Sequence, residues 1–129
     1  MKCILVRLLM CLTFLLTAER ASAETCTAVN TGELHISLPF NSGPGCVQLI
    51  PAQKEVCVSG ATRVADISVQ LIYQYNAQRP ATFANPGDPG CFYLGLQART
   101  ANHMGAYPNY VCSPGELRAV VHAKLCSDP

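Results

Sequence analysis

Six cysteines restrict this chain more than any other feature. Cys26, Cys46, Cys57, Cys91, Cys112 and Cys126 are separated by 20, 11, 34, 21 and 14 residues, and no two form a Cys-x-x-Cys pair. Those intervals match no zinc-ligand spacing, and a catalytic thiol pair would use the short spacing that is missing. An even set of widely spaced cysteines in a short chain bound for an oxidising compartment predicts three disulfides. The spacing does not choose among the possible pairings, and no metal or cofactor is expected.

The oxidising compartment is itself read from the N-terminus. Lys2 and Arg7 supply positive charge, residues 8–17 form an apolar run, Glu19 and Arg20 end it, and Ala21-Ser22-Ala23 is the small-residue pattern that signal peptidase reads. The run falls short of the roughly 20 apolar residues a membrane span needs. Met10 stands before Cys11 where lipid attachment needs a small residue. The expectation is therefore a signal peptide at residues 1–23, removed after Ala23 together with Cys3 and Cys11. A single disulfide-rich β domain at residues 24–129 follows, secreted to the extracellular space or to a bacterial periplasm, without membrane insertion.

Cleavage also changes the charge. The nine basic and eight acidic residues of the whole chain lose Lys2, Arg7, Arg20 and Glu19, which leaves six basic and seven acidic residues and a net charge of −1. No basic run is left, so neither nucleic acid nor an anionic membrane is an expected partner. The chain has no Asn-x-Ser/Thr sequon.

The hydrophobic pattern has a period of two. Leu34, Ile36, Leu38 and Phe40 alternate with Glu33, His35, Ser37 and Pro39, which sends one set to a core face and the other to solvent. Between residues 65 and 75, Ile67, Val69, Leu71, Tyr73 and Tyr75 fall on one face, opposite Asp66, Ser68, Gln70 and Gln74, with Ile72 as the exception. Phe92, Leu94, Leu96 and Ala98 repeat the pattern, and residues 47–50, 56–58 and 107–112 are further candidate strands.

Residues 113–116, Ser-Pro-Gly-Glu, resemble a helix-capping box. A helix over the following residues, however, places Lys124 inside the apolar stripe of Leu117, Val120 and Val121. A strand puts Leu117, Ala119, Val121, Ala123 and Leu125 on one face and Glu116, Arg118, His122 and Lys124 on the other, and this is the preferred reading. Pro-Gly at 44–45, 86–87, 89–90 and 114–115 fits type II turns. Cys91 and Cys126 lie on the polar side of their alternations, which predicts staples at a sheet rim. Together these features predict an all-β fold, a small disulfide-stapled antiparallel sandwich or barrel of about six or seven short strands.

Function is less constrained. The mature chain has no Gly-x-Ser-x-Gly nucleophile motif, and Glu33, Glu55, Asp66 and Glu116 are scattered singly. Residues 76–90 read as a long loop presenting Arg79 and Phe83, and ordered loops of this length are frequently functional. Residues 99–109, with His103, Tyr107 and the nearby Tyr110, form a second aromatic and polar candidate surface. The leading expectation is a secreted, non-enzymatic binding protein (an extracellular inhibitor, effector or toxin-like subunit) that recognises a protein through these segments. One alternative is a carbohydrate-binding module or lectin. The other is a small secreted hydrolase in which His35 and His122, with Lys124, handle protons and charge.

Overall fold

The computed structural model describes residues 24–129, so the expected signal peptide lies outside the described residues. In chain order the strands are β1 (Thr25–Leu38), β2 (Asn41–Ser42), β3 (Ile50–Cys57), β4 (Arg63–Tyr75), β5 (Ala81–Pro86), β6 (Cys91–Ala98), β7 (His103–Met104), β8 (Val111–Cys112) and β9 (Gly115–Ser127). They pair antiparallel in three sheets, ordered β1-β9-β4, β3-β6-β5 and β2-β8-β7. The first two stack as a sandwich in which β1 approaches β3, β9 lies over β6 and β4 approaches β5. The fold is thus the all-β, disulfide-stapled antiparallel arrangement expected, although β1, β4 and β9 are not short. No helix of the described residues is long and apolar enough to cross a membrane.

The core follows the alternation. Leu117, Ala119, Val121 and Ala123 of β9 meet Leu34, Ile36 and Leu38 of β1 and Leu94, Leu96 and Ala98 of β6. The C-terminal segment is a strand, as its two-residue period indicated, and it occupies the centre of its sheet with a partner on each side.

β1 begins at Thr25, well before the alternating stretch, because a bulge between Asn30 and Glu33 breaks the period. There Thr31 turns inward and is buried. Its Oγ1 donates to the Gly32 carbonyl oxygen at 2.7 Å and accepts the Val121 N–H at 3.1 Å, so both of its hydrogen-bonding roles are filled. Phe40, expected on the core face, is exposed because β1 stops at Leu38.

The disulfides are Cys26–Cys126, Cys46–Cys112 and Cys57–Cys91. The first and third join residues directly opposite each other at strand ends, on β1 and β9 and on β3 and β6. Cys126 keeps the polar side of β9, as expected, and is nevertheless buried. Residues 61–62 fold over that end, where Ala61 is buried and the Thr62 N–H donates to the Cys126 carbonyl oxygen at 2.8 Å.

Three local expectations are corrected. Residues 47–50 do not form a separate strand, because Pro44–Val47 is a 3₁₀ turn, and β3 begins only at Ile50 and runs through Pro51 to Cys57. Of residues 107–112, only Val111 and Cys112 are in a strand. The long loop at residues 76–90 contains β5, whose Ala81–Pro86 pair with β6.

β4 carries the largest correction. Its register with β9 shifts between Leu71 and Tyr73, so Ile72 is the extra residue of a bulge. A bulge reverses which face the later side chains occupy. Tyr73 and Tyr75 therefore stand opposite Arg118 and Glu116, on the outer face, and do not continue the core row of Ile67 and Val69.

Candidate functional site

The small β2-β8-β7 sheet stands at the end of β4, and Asn76 attaches it. Asn76 has φ of 48°, a left-handed conformation that Asn tolerates better than most residues. Its Nδ2 donates to the carbonyl oxygens of Ser113 and Pro114 at 3.1 and 3.0 Å, and its Oδ1 accepts the Asn102 N–H at 3.0 Å. One side chain thus holds both flanks of the β7–β8 hairpin.

The hairpin is short. His103 pairs with Cys112 and Met104 with Val111, and on the far side of β8 Asn41 and Ser42 pair with Cys112 and Val111. Two-residue strands have little stability of their own. Here the Cys46–Cys112 disulfide fastens β8 from the buried side. Gly105, with φ of 90°, turns the chain out of β7 where a side chain would strike the Asn109 carbonyl.

Its outward side is apolar. Met104 and Tyr107 are each 76% exposed, and Val111, the register partner of Met104, is 43% exposed. Behind them His103 and Tyr110 meet edge to face, with ring centroids 5.3 Å apart and planes at 88°. They line a depression of about 160 Å³ with Val47, Gln78, Arg99 and Thr100. Arg99 Nε donates to Gln78 Oε1 at 3.0 Å, which holds the guanidinium at its wall.

Of the residues singled out in the sequence, His103, Tyr107 and Tyr110 thus belong to one hairpin. Arg79 is elsewhere, exposed in a cleft of about 420 Å³ between β4 and β5 that is lined by Ile67, Ser68, Val69 and residues 80–82. Phe83 is not offered from a loop. It is a half-buried residue of β5 whose ring lies over its register partner Gly95. Met104 and Val111 escaped notice in the sequence because nothing local distinguishes an exposed apolar residue from a buried one.

The two strand histidines share the outer face of the β1-β9-β4 sheet but not a site. His35 stands opposite Arg118 and His122 opposite Asn30, four positions further along β9, or about 13 Å at strand rise. A proton donor and acceptor acting on one phosphoryl group must both reach it within hydrogen-bond distance. Each imidazole has another partner. His35 Nε2 lies 2.9 Å from Glu116 Oε1, and His122 Nε2 lies 2.8 Å from Gln70 Oε1. Lys124 Nζ is 3.4 Å from Asp66 Oδ2.

On the outer face of the other sheet, Tyr93 stands opposite Glu55 of β3 and Asn85 of β5. The hydrogen bond and negative charge of Glu55 raise the Tyr93 pKa above the ordinary 10.0. Among the described residues, the two clusters of potential metal ligands, Glu24–Cys26–Cys126 and Glu55–Cys57–Cys91, each contain a disulfide and hold no thiolate. No family model matches the chain, and neither a curated protein nor a solved structure matches it.

Proposed function

We propose that this is a secreted, non-enzymatic binding domain that recognises an extracellular protein through the β7–β8 hairpin. The observation carrying this reading is the exposure of Met104, Tyr107 and Val111 on a hairpin fastened by Cys46–Cys112. Water-exposed apolar side chains on a cross-linked support act as anchors, because little conformational entropy is lost when they dock. Three disulfides and the leader pattern support the extracellular setting. The depression beside His103, Tyr110 and Arg99 supplies a polar rim for the same contact.

The test is affinity capture from extracellular fluid with the wild-type protein and with a Met104→Ser, Tyr107→Ser double variant. Loss of the captured protein, and a Kd at least about tenfold weaker once it is identified, is the expected outcome. Equal capture by both forms would overturn this reading.

A specific observation favours a saccharide ligand as the second reading. Phe83 lies on Gly95 and Tyr93 on Gly87, with Gln53, Glu55 and Asn85 beside them on the outer face of β3-β6-β5. Aromatic faces flanked by amides and a carboxylate suit stacking against a sugar ring with hydrogen bonds to its hydroxyls. Glycan-array binding that survives the hairpin substitutions and is lost in Tyr93→Ala would support it.

A further inference from the structure

We propose that two copies of this chain pair through β4, antiparallel about a two-fold axis, so that two β1-β9-β4 sheets join into one continuous sheet. The two edges of that sheet differ. β1 closes against β3 of the facing sheet, whereas β4 has β9 on one side and, on the other, only the cleft toward β5.

Arg79 stands in the cleft beside Ile67 to Val69, but from Leu71 to Tyr75 the exposed edge carries little of the usual protection. Natural edge strands carry lysine, proline or inward-pointing charge that discourages pairing. From Ile67 to Tyr75 the sequence is Ile-Ser-Val-Gln-Leu-Ile-Tyr-Gln-Tyr, with no charged residue, proline or glycine. The bulge at Ile72 and a register shift between Ala65 and Ser68, where the run begins, are its protective devices, and Leu71, Ile72, Tyr73 and Tyr75 are left at 44, 52, 47 and 60% exposure. A run with this β-propensity and no charge is an association site.

The occupant follows from charge and facing. Pairing about a two-fold axis sets a segment against itself, so any charge near the axis would meet its own copy, and this run has none. The outward side chains are Ser68 and Gln70 before the bulge and Tyr73 and Tyr75 after it. An antiparallel copy can place Tyr73 opposite Gln70 and Tyr75 opposite Ser68, all on one face, with Leu71 and Ile72 at the axis. Four side chains of this size at these exposures offer on the order of 400 Å² per copy. If all of it is covered, both copies, with the polar residues of the run, reach on the order of 1,000 Å², the floor for a specific interface and the size of a weak one. Because Asn76 ties the hairpin to the end of β4, the two hairpins stand at opposite ends of the dimer.

Sedimentation equilibrium on the oxidised, secreted chain tests this, with Ile72→Lys as the interface variant and Met104→Ser as a control outside it. The expected result is a mass of two chains for the wild type and the control, and a dissociation constant at least tenfold weaker for Ile72→Lys with an unchanged circular dichroism spectrum. Hydrogen exchange of the wild type gives a second readout that needs no variant, with protection of residues 67–75 rising with protein concentration. A monomeric wild type at every concentration, or concentration-independent exchange over 67–75, overturns the proposal. So does a dimer broken by Met104→Ser and untouched by Ile72→Lys.

Discussion

The ring of Phe83 lies over Gly95, its register partner across β5 and β6, so closely that a Cβ at position 95 would stand 2.5 Å from the ring tip. The same Cβ would also stand 2.5 Å from the Ala52 carbonyl oxygen on β3. Glycine here lets an aromatic ring cover bare backbone in the middle of a sheet.

Gly95→Ala is therefore expected to destabilise the domain by about 1–3 kcal/mol through overpacking. Phe83→Ala, which uncovers a half-buried ring site, is expected to cost about 2 kcal/mol. The double variant should cost less than the two together, since the added methyl then meets only the Ala52 carbonyl oxygen and the Gln53 Cβ. Urea unfolding of the three variants measures this coupling, and strict additivity would show that ring and glycine do not interact.

The disulfides are expected to differ in what they stabilise. Cys26–Cys126 spans 100 residues and Cys57–Cys91 spans 34. In the chain-entropy account, removing the first by paired Cys→Ala substitution costs about 1 kcal/mol more than removing the other. Removing Cys46–Cys112 should act locally as well, speeding amide exchange at residues 103–112 while β9 keeps its protection. Uniform loss of protection across both regions would show that the hairpin is not separately fastened.

Glu55 holds the Tyr93 phenol protonated above its ordinary range. Because the folded pKa is raised, this contribution to stability is complete below the unfolded value of 10.0 and is lost as pH rises through the folded value. Glu55→Gln should bring one phenolate transition to lower pH in an ultraviolet titration of the folded protein. An unchanged titration would exclude the pairing.

The parts of the fold legible in the sequence are those where one face of a strand is buried without interruption. The alternations of residues 91–98 and 115–127 became β6 and β9, the central strands of their sheets. β3 is legible only at its two ends, because an edge strand with Pro51, Gln53, Lys54 and Glu55 leaves a weak apolar period. β5 is not legible, because its short, Pro- and Asn-containing run looks like a turn until β6 is beside it. In the candidate site, His103, Tyr107 and Tyr110 were visible as residue types. Their meeting on a fastened hairpin depends on Asn76 and Cys46, which lie far away in the chain.

By itself, the sequence determined that this chain would be a cross-linked β domain. The even, widely spaced cysteines and the two-residue period are local properties, and each has its physical consequence whatever the partner strand. Tertiary structure decided which cysteines meet, which strands become edges and which apolar residues reach solvent. Those outcomes depend on register between distant segments. One extra residue at Ile72 sends Tyr73 and Tyr75 to the outer face of their sheet.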